Sequence, residues 1–126
     1  MMVSALTRPV ELSPQPALAR RQLAGMLTDA GWEGDVDGAL LAVHEAMVNA
    51  HRHGGGVTHA CAGFDGHSLV VEISDRGRGF QVPDSAGEPD LTAERGRGLF
   101  LIRQLASEAH LVRKDGDVRL VLTFDR

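Results

Sequence analysis

The sequence predicts an α+β domain, a two-layer α/β sandwich in which a mixed, mostly antiparallel sheet is covered by helices. Three observations point there. Two pairs of short apolar runs are each joined at an Asp-Gly dipeptide, Asp65-Gly66 and Asp115-Gly116, the mark of an antiparallel hairpin. Three other stretches carry helical periodicity and end at glycine or polar residues. Helices and hairpins are interleaved along the chain, so they pack as one layer on another.

Taken in order, residues 3–10 are expected to form an edge strand closed by Pro9. Ser13 and Pro14 introduce a first helix whose pattern, Leu18, Arg21, Gln22, Ala24 and Leu27, stops at Gly31. A second helix starts at Asp35 or Asp37, either a fair N-cap, and ends in Gly54-Gly55-Gly56. Strands over 57–64 and 68–74 follow. From Asp75 to Gly98 the chain is rich in Gly, Pro, Asp and Glu and reads as a long loop, of a length that in compact domains is usually functional. A third helix, 99–107, leads into strands over 109–114 and 118–124.

The 126 residues suit a single domain spanning 1–126. With 43% hydrophobic and 24% charged residues, the composition is that of an ordinary globular protein. No apolar run approaches the ~20 residues that span a bilayer, and the first residues lack the basic-then-apolar order of a signal peptide. Cys61 is the single cysteine, so no internal disulfide forms and a cytoplasmic location is expected. A net charge of −4, with no cluster of five or six basic residues, argues against a protein held by nucleic-acid phosphates. Among the 13 basic residues only Lys114 is lysine, and its surroundings, LVRKDGD, are no GxxxxGK[ST] loop. Any phosphate bound here is bound without a lysine clamp.

The chemistry concentrates in three places. On the second helix, at roughly 100° per residue, Leu40, Val43, Met47 and Ala50 share the face assigned to the sheet. Glu45 and Asn49 lie one turn apart on the other face, near Leu41 and Arg52. Oxygen donors of this kind suit Mg2+; the plain alternative is a solvated helix face. Asp75-Arg76-Gly77-Arg78-Gly79 follows a strand, where the glycines let backbone approach a ligand and the carboxylate can accept from an exocyclic amine. The alternative there is a tight turn. Glu94-Arg95-Gly96-Arg97-Gly98-Leu99 opens the third helix, where free N–H groups and two arginines suit phosphate, or where the arginines are ordinary surface charges. His44, His51, His53, His59 and Cys61 do not read as a metal cluster, because His51 and His53 diverge by roughly 160° on a helix. His53 instead suits the helix end, Trp32 the core, and Cys61 a buried, inert thiol.

Glu45-x-x-x-Asn49-Ala50-x-x-His53-Gly54, Asp75-x-Gly77-x-Gly79 and Gly96-x-Gly98-Leu99 resemble the N, G1 and G2 boxes of the GHKL ATPases, whose ATP-binding fold is of the Bergerat type. The short length and the Asn-Ala-x-x-His-Gly ending are most similar to bacterial anti-sigma-factor serine/threonine kinases. The resemblance runs from about Leu18 to the final strand. It implies that Asn49 ligates Mg2+, that Glu45 is the general base, and that Asp75 binds the adenine amine in a pocket shaped by Gly77 and Gly79. It makes residues 81–98 an ATP lid, with Gly96 and Gly98 donating N–H groups to phosphate and His53, Arg95, Arg97 and Leu99 beside the nucleotide. One departure stands out: many relatives carry Gly-Thr entering the last strand, where this chain has Asp115-Gly116-Asp117-Val118, and Thr123 lies too far along to replace it.

The resemblance further implies a kinase that uses ATP and Mg2+, phosphorylates a Ser or Thr of an antagonist protein and sequesters a sigma factor. Homodimerisation belongs to the same set of implications; direct nucleic-acid and membrane binding do not. A second reading is a non-catalytic nucleotide-sensing module that switches partner affinity. The catalytic piece of a histidine kinase fits less well, since ~15 residues before the first helix cannot supply a helical dimerisation segment.

Overall fold

The computed structural model describes residues 6–76, 94–114 and 116–126, with the side chains of 94–99 and of Lys114 outside the description. The elements are β1 (Thr7–Glu11), α1 (Pro16–Ala30), α2 (Val36–His53), β2 (Val57–Asp65), β3 (Ser68–Asp75), α3 (Glu94–Leu105), β4 (Glu108–Lys114) and β5 (Asp117–Phe124). The strands lie in the order β1-β2-β3-β5-β4, and all four pairings are antiparallel, so the described sheet has no parallel component.

Local chemistry sets most boundaries. β1 runs two residues beyond Pro9, which an edge position tolerates because one side of the strand needs no donor. Its pairing with β2 shifts register between Thr7 and Val10, and Arg8 inside that irregularity takes φ +53°. α1 places Pro16 in its first turn and stops at Gly31, whose φ of +64° is the left-handed conformation a helix stop requires. Trp32 N–H then reaches the Leu27 carbonyl. The buried stripe of α1 is Ala19, Leu23 and Leu27. Leu18, grouped with the periodic positions in the sequence, is exposed, since small Ala19 rather than Leu18 lies under the helix.

In the first hairpin Asp65 pairs with Ser68, so the two turn residues are Gly66 and His67, one position later than expected. In the second, Lys114 pairs with Asp117 and Gly116 lies in the turn, while Asp115 lies outside the described residues. α3 begins at Glu94, five residues before the predicted start, because Gly96 and Gly98 are accommodated within helix rather than preceding it.

The core lies between one face of the sheet and the helices. Leu69, Val71 and Ile73 of β3, with Ala60, Ala62, Leu122 and Phe124, meet Leu23 and Leu27 of α1, Val43 and Met47 of α2, and Ile102 of α3. Trp32 packs half-buried at the edge of this core and donates its indole N–H to the His67 carbonyl. The alternate β3 residues point to the other face. There Val70 joins Leu6 and Val121 in a small second cluster, and Glu72 is fully buried beside Arg119. Among the described residues no helix is long and apolar enough to cross a membrane.

Candidate functional site

α2 is fixed at its start by a side-chain cap. Asp35 accepts a hydrogen bond from Gly38 N–H at 3.0 Å, which selects it over Asp37 as the cap. Asp37 lies in the first turn and His51, Arg52 and His53 in the last, so both ends complement the helix dipole. Leu40, Val43, Met47 and Ala50 are buried, as the periodicity predicts. Asn49 differs from expectation: it is only 6% exposed. It lines a narrow cavity of about 10 Å³ with Ala46 and Ala50 of α2, Ile73 and Asp75 of β3, and Leu111 and Leu120 of the second hairpin. Glu45, one turn earlier, is half-buried.

That placement rules out a solvated face for Asn49. Its carboxamide Nδ2 is buried without a hydrogen-bond partner among the described residues. Leaving such a group unsatisfied costs about 1–3 kcal/mol, a cost that a residue chosen for packing alone would not carry. A carboxamide can rotate to present either oxygen or nitrogen, so the same orphaned group can offer an oxygen to a cation or a donor to a phosphate. The donor set therefore fits a nucleotide with Mg2+.

Asp75 ends the central strand and is held from both sides, opposite Val57 of β2 and Val118 of β5. It is buried, and it faces the same cavity as Asn49. Where the resemblance would put Gly-Thr, Gly116 is followed by Asp117, and the residue buried across from Asp75 is Val118, which brings no hydroxyl. Thr123 pairs with Val70 and Glu108 at the far end of β5. The backbone N–H of Arg76 is hydrogen-bonded to the Gly54 carbonyl at 3.1 Å, which ties the end of α2 to the exit of β3.

The structure thus brings Asn49 and Asp75 together from residues 26 positions apart, with Glu45 adjacent along α2. His53 is the last residue of α2 and half-buried. Gly96 lies in the first turn of α3 and Gly98 in the second. Gly77, Gly79 and the lid up to residue 93 lie outside the described residues, as do the side chains of Arg95, Arg97 and Leu99. One residue that lines the site lies outside the sequence motifs. Leu111 alternates with exposed neighbours in β4, which marks it as facing the helices.

The domain is thus a helix-and-sheet sandwich in which a buried asparagine of one helix and an aspartate at the end of the central strand line one cavity. Residues 9–124 match the histidine kinase-like ATPase domain, and the chain belongs to that family, a GHKL-type ATPase fold.

Its similar curated proteins include one named an anti-sigma factor and one named a serine-protein kinase. It is 36% identical over 63 residues to the anti-sigma F factor of Clostridium acetobutylicum, a match covering 47% of this chain and 44% of that one. It is 29% identical over 116 residues to the serine-protein kinase RsbW of Staphylococcus epidermidis, covering 79% and 73% of the two chains. In fold it is similar to the crystal structure of the RsbU and RsbW domains of a Mycobacterium tuberculosis protein, with a TM-score of 0.66 and 22% identity. That likeness covers 94% of this chain and 32% of the solved one.

Proposed function

We propose that this chain is a Mg2+- and ATP-dependent protein serine/threonine kinase of the anti-sigma type, acting in the cytoplasm. In this reading it sequesters a sigma factor and phosphorylates a Ser or Thr of an antagonist protein. The observation that carries the reading is the buried amide nitrogen of Asn49, without a partner among the described residues, on a cavity that Asp75 also lines. The names of the curated relatives, an anti-sigma factor and a serine-protein kinase, support the choice of partners.

In this assignment Asp75 accepts from the adenine amine and Asn49 holds the metal through its carboxamide oxygen. Mg2+ supplies charge neutralisation on the phosphates when bound. Gly96 stands in the first turn of α3, where N–H groups lack intrahelical acceptors and can meet phosphate oxygens. Glu45, half-buried beside Asn49, takes the proton of the attacking hydroxyl as the new O–P bond forms and the β–γ bridge breaks. Gly77, Gly79, His53, Gly98, Leu99 and the arginines 95 and 97 complete the assigned nucleotide contacts.

The test separates binding from chemistry. Glu45→Gln keeps the shape and removes the base, so ATP affinity stays near wild type while transfer to the antagonist falls by ~10²–10⁴. Radiolabelled ATP and a candidate antagonist protein give the readout. Transfer by Glu45→Gln at the wild-type rate would sink the mechanism. Wild type that binds ATP and a sigma factor but transfers nothing would leave a nucleotide-sensing module as the better reading.

A further inference from the structure

Three consecutive glycines follow α2, and they are glycine for different reasons. Gly55 and Gly56 have φ of +80° and +105°, conformations that L side chains rarely adopt. Gly54 does not: its φ of −103° and ψ of 1° lie in the bridge region at negative φ, which residues with a side chain also occupy. What a side chain at 54 lacks is room. A Cβ built there stands 2.7 Å from Oδ1 of Asp75 and 2.5 Å from its Oδ2, and presses on Cγ as well; its three nearest neighbours are all atoms of that one carboxylate.

Neither party has an easy retreat. Gly54 N–H is bonded to the Ala50 carbonyl at 2.9 Å, which fixes it to the last turn of α2. Asp75 is buried, its backbone is paired on both sides, and Arg76 N–H is tied to the Gly54 carbonyl. With both backbones held, a methyl group at 54 can be admitted only by rotating the carboxylate away.

We infer that Gly54 is a positioning residue for Asp75: the bare face of this glycine sets the direction of the carboxylate and so the base selectivity of the nucleotide site. The inference rests on the nucleotide-binding reading above, and it assigns to the glycine a role distinct from ending the helix. A carboxylate in its present direction accepts from an amine on the purine. Displaced, it cannot tell an amine from a carbonyl, although its charge is still there.

The experiment is calorimetric titration of Mg-ATP and Mg-ITP, which carries a carbonyl in place of the amine, into wild type, Gly54→Ala, Asp75→Asn and the double variant. Wild type is expected to prefer ATP by roughly tenfold to a hundredfold, the worth of a charged hydrogen bond in a buried site. Gly54→Ala is expected to bring that ratio close to one, and the double variant to be no less selective than Asp75→Asn alone. A purely structural role would weaken both nucleotides alike and leave the ratio intact, which overturns the inference while the ATP site stands. Wild type that binds neither nucleotide overturns the ATP reading itself. Should Gly54→Ala fail to fold, thermal unfolding in an Asp75→Ala background decides: alanine at 54 is tolerated there if the carboxylate is what it strikes. An equal loss of Tm in both backgrounds rejects the contact.

Discussion

Arg119 reaches from β5 to Glu72 on the neighbouring strand, with its guanidinium nitrogen 3.5 Å from Oε1. Glu72 is 1% exposed and neither of its oxygens has a hydrogen bond among the described residues, whereas Arg119 is about one-third exposed. The arginine is therefore the one cation compensating a carboxylate sunk into the sheet face away from the helices, among the described residues. Removing one partner of a buried pair leaves a charge without compensation, while removing both can be neutral.

Arg119→Met is accordingly expected to destabilise by about 1–3 kcal/mol, the lower part of the usual range because the arginine is partly solvated. Arg119→Met with Glu72→Leu is expected to recover most of that loss. Urea midpoints of the four proteins give the coupling. A double variant as unstable as the sum of the singles rejects the pairing.

Cys61 sits opposite Glu72 in the β2–β3 register, and its thiol is pushed up to about 11, by burial first and by the Glu72 charge second. The folded protein then holds this proton more tightly than the unfolded chain, whose cysteine titrates near 9. Stability attached to the thiol is therefore complete below pH 9 and declines between pH 9 and 11, by about 2–3 kcal/mol in all. The chain has no tyrosine and one lysine, so few other groups titrate in that window. Cys61→Ala is expected to flatten the alkaline slope of the unfolding free energy. In the wild type at pH 8 the thiol should react with a disulfide reagent only as fast as the protein opens.

Asp35 offers a simpler measurement. Its carboxylate satisfies one of the free N–H groups at the start of α2, the helix that carries Glu45 and Asn49. Asp35→Ala is expected to cost ~1 kcal/mol, read as a lower Tm with unchanged nucleotide affinity. Asp37→Ala, one position inside the helix, should cost less, and equal losses would mean that Asp37 caps the helix as well.

These residues also show what a sequence discloses. The hairpins were legible because Gly66 and Gly116 carry positive φ at turns that almost any antiparallel pair would need. α2 was legible because its apolar positions keep one phase for several turns. The start of α3 was not, since Gly96 and Gly98 have poor helix propensity and only tertiary contacts through residues such as Ile102 outweigh it. Asn49 and Asp75 were legible as a motif, yet nothing local says that the asparagine is buried; that follows from the sheet lying beneath it. Glu72 gave no signal at all. It alternates with Val71 and Ile73 like any outward polar residue, and its burial is made by the strands on either side and by Arg119.

Asn49 supplies the sharpest test of whether the cavity exists for a ligand. A residue kept for the fold loses stability when truncated. Asn49 is buried with an unpaired amide nitrogen, in a helix interior where asparagine is a weaker helix former than alanine by roughly 0.5 kcal/mol. Asn49→Ala removes the unsatisfied group and improves the helix, and gives up only a few contacts around a cavity that already exists. The expected result without nucleotide is a gain of about 1 kcal/mol, seen as a higher urea midpoint at constant m-value. Mg-ATP affinity should fall in the same variant, and the affinity without Mg2+ should change much less. A stabilised protein that binds its ligand poorly is the signature of a group held unsatisfied for function. If Asn49→Ala is instead less stable and binds Mg-ATP as wild type does, the carboxamide belongs to the packing and the metal assignment is wrong.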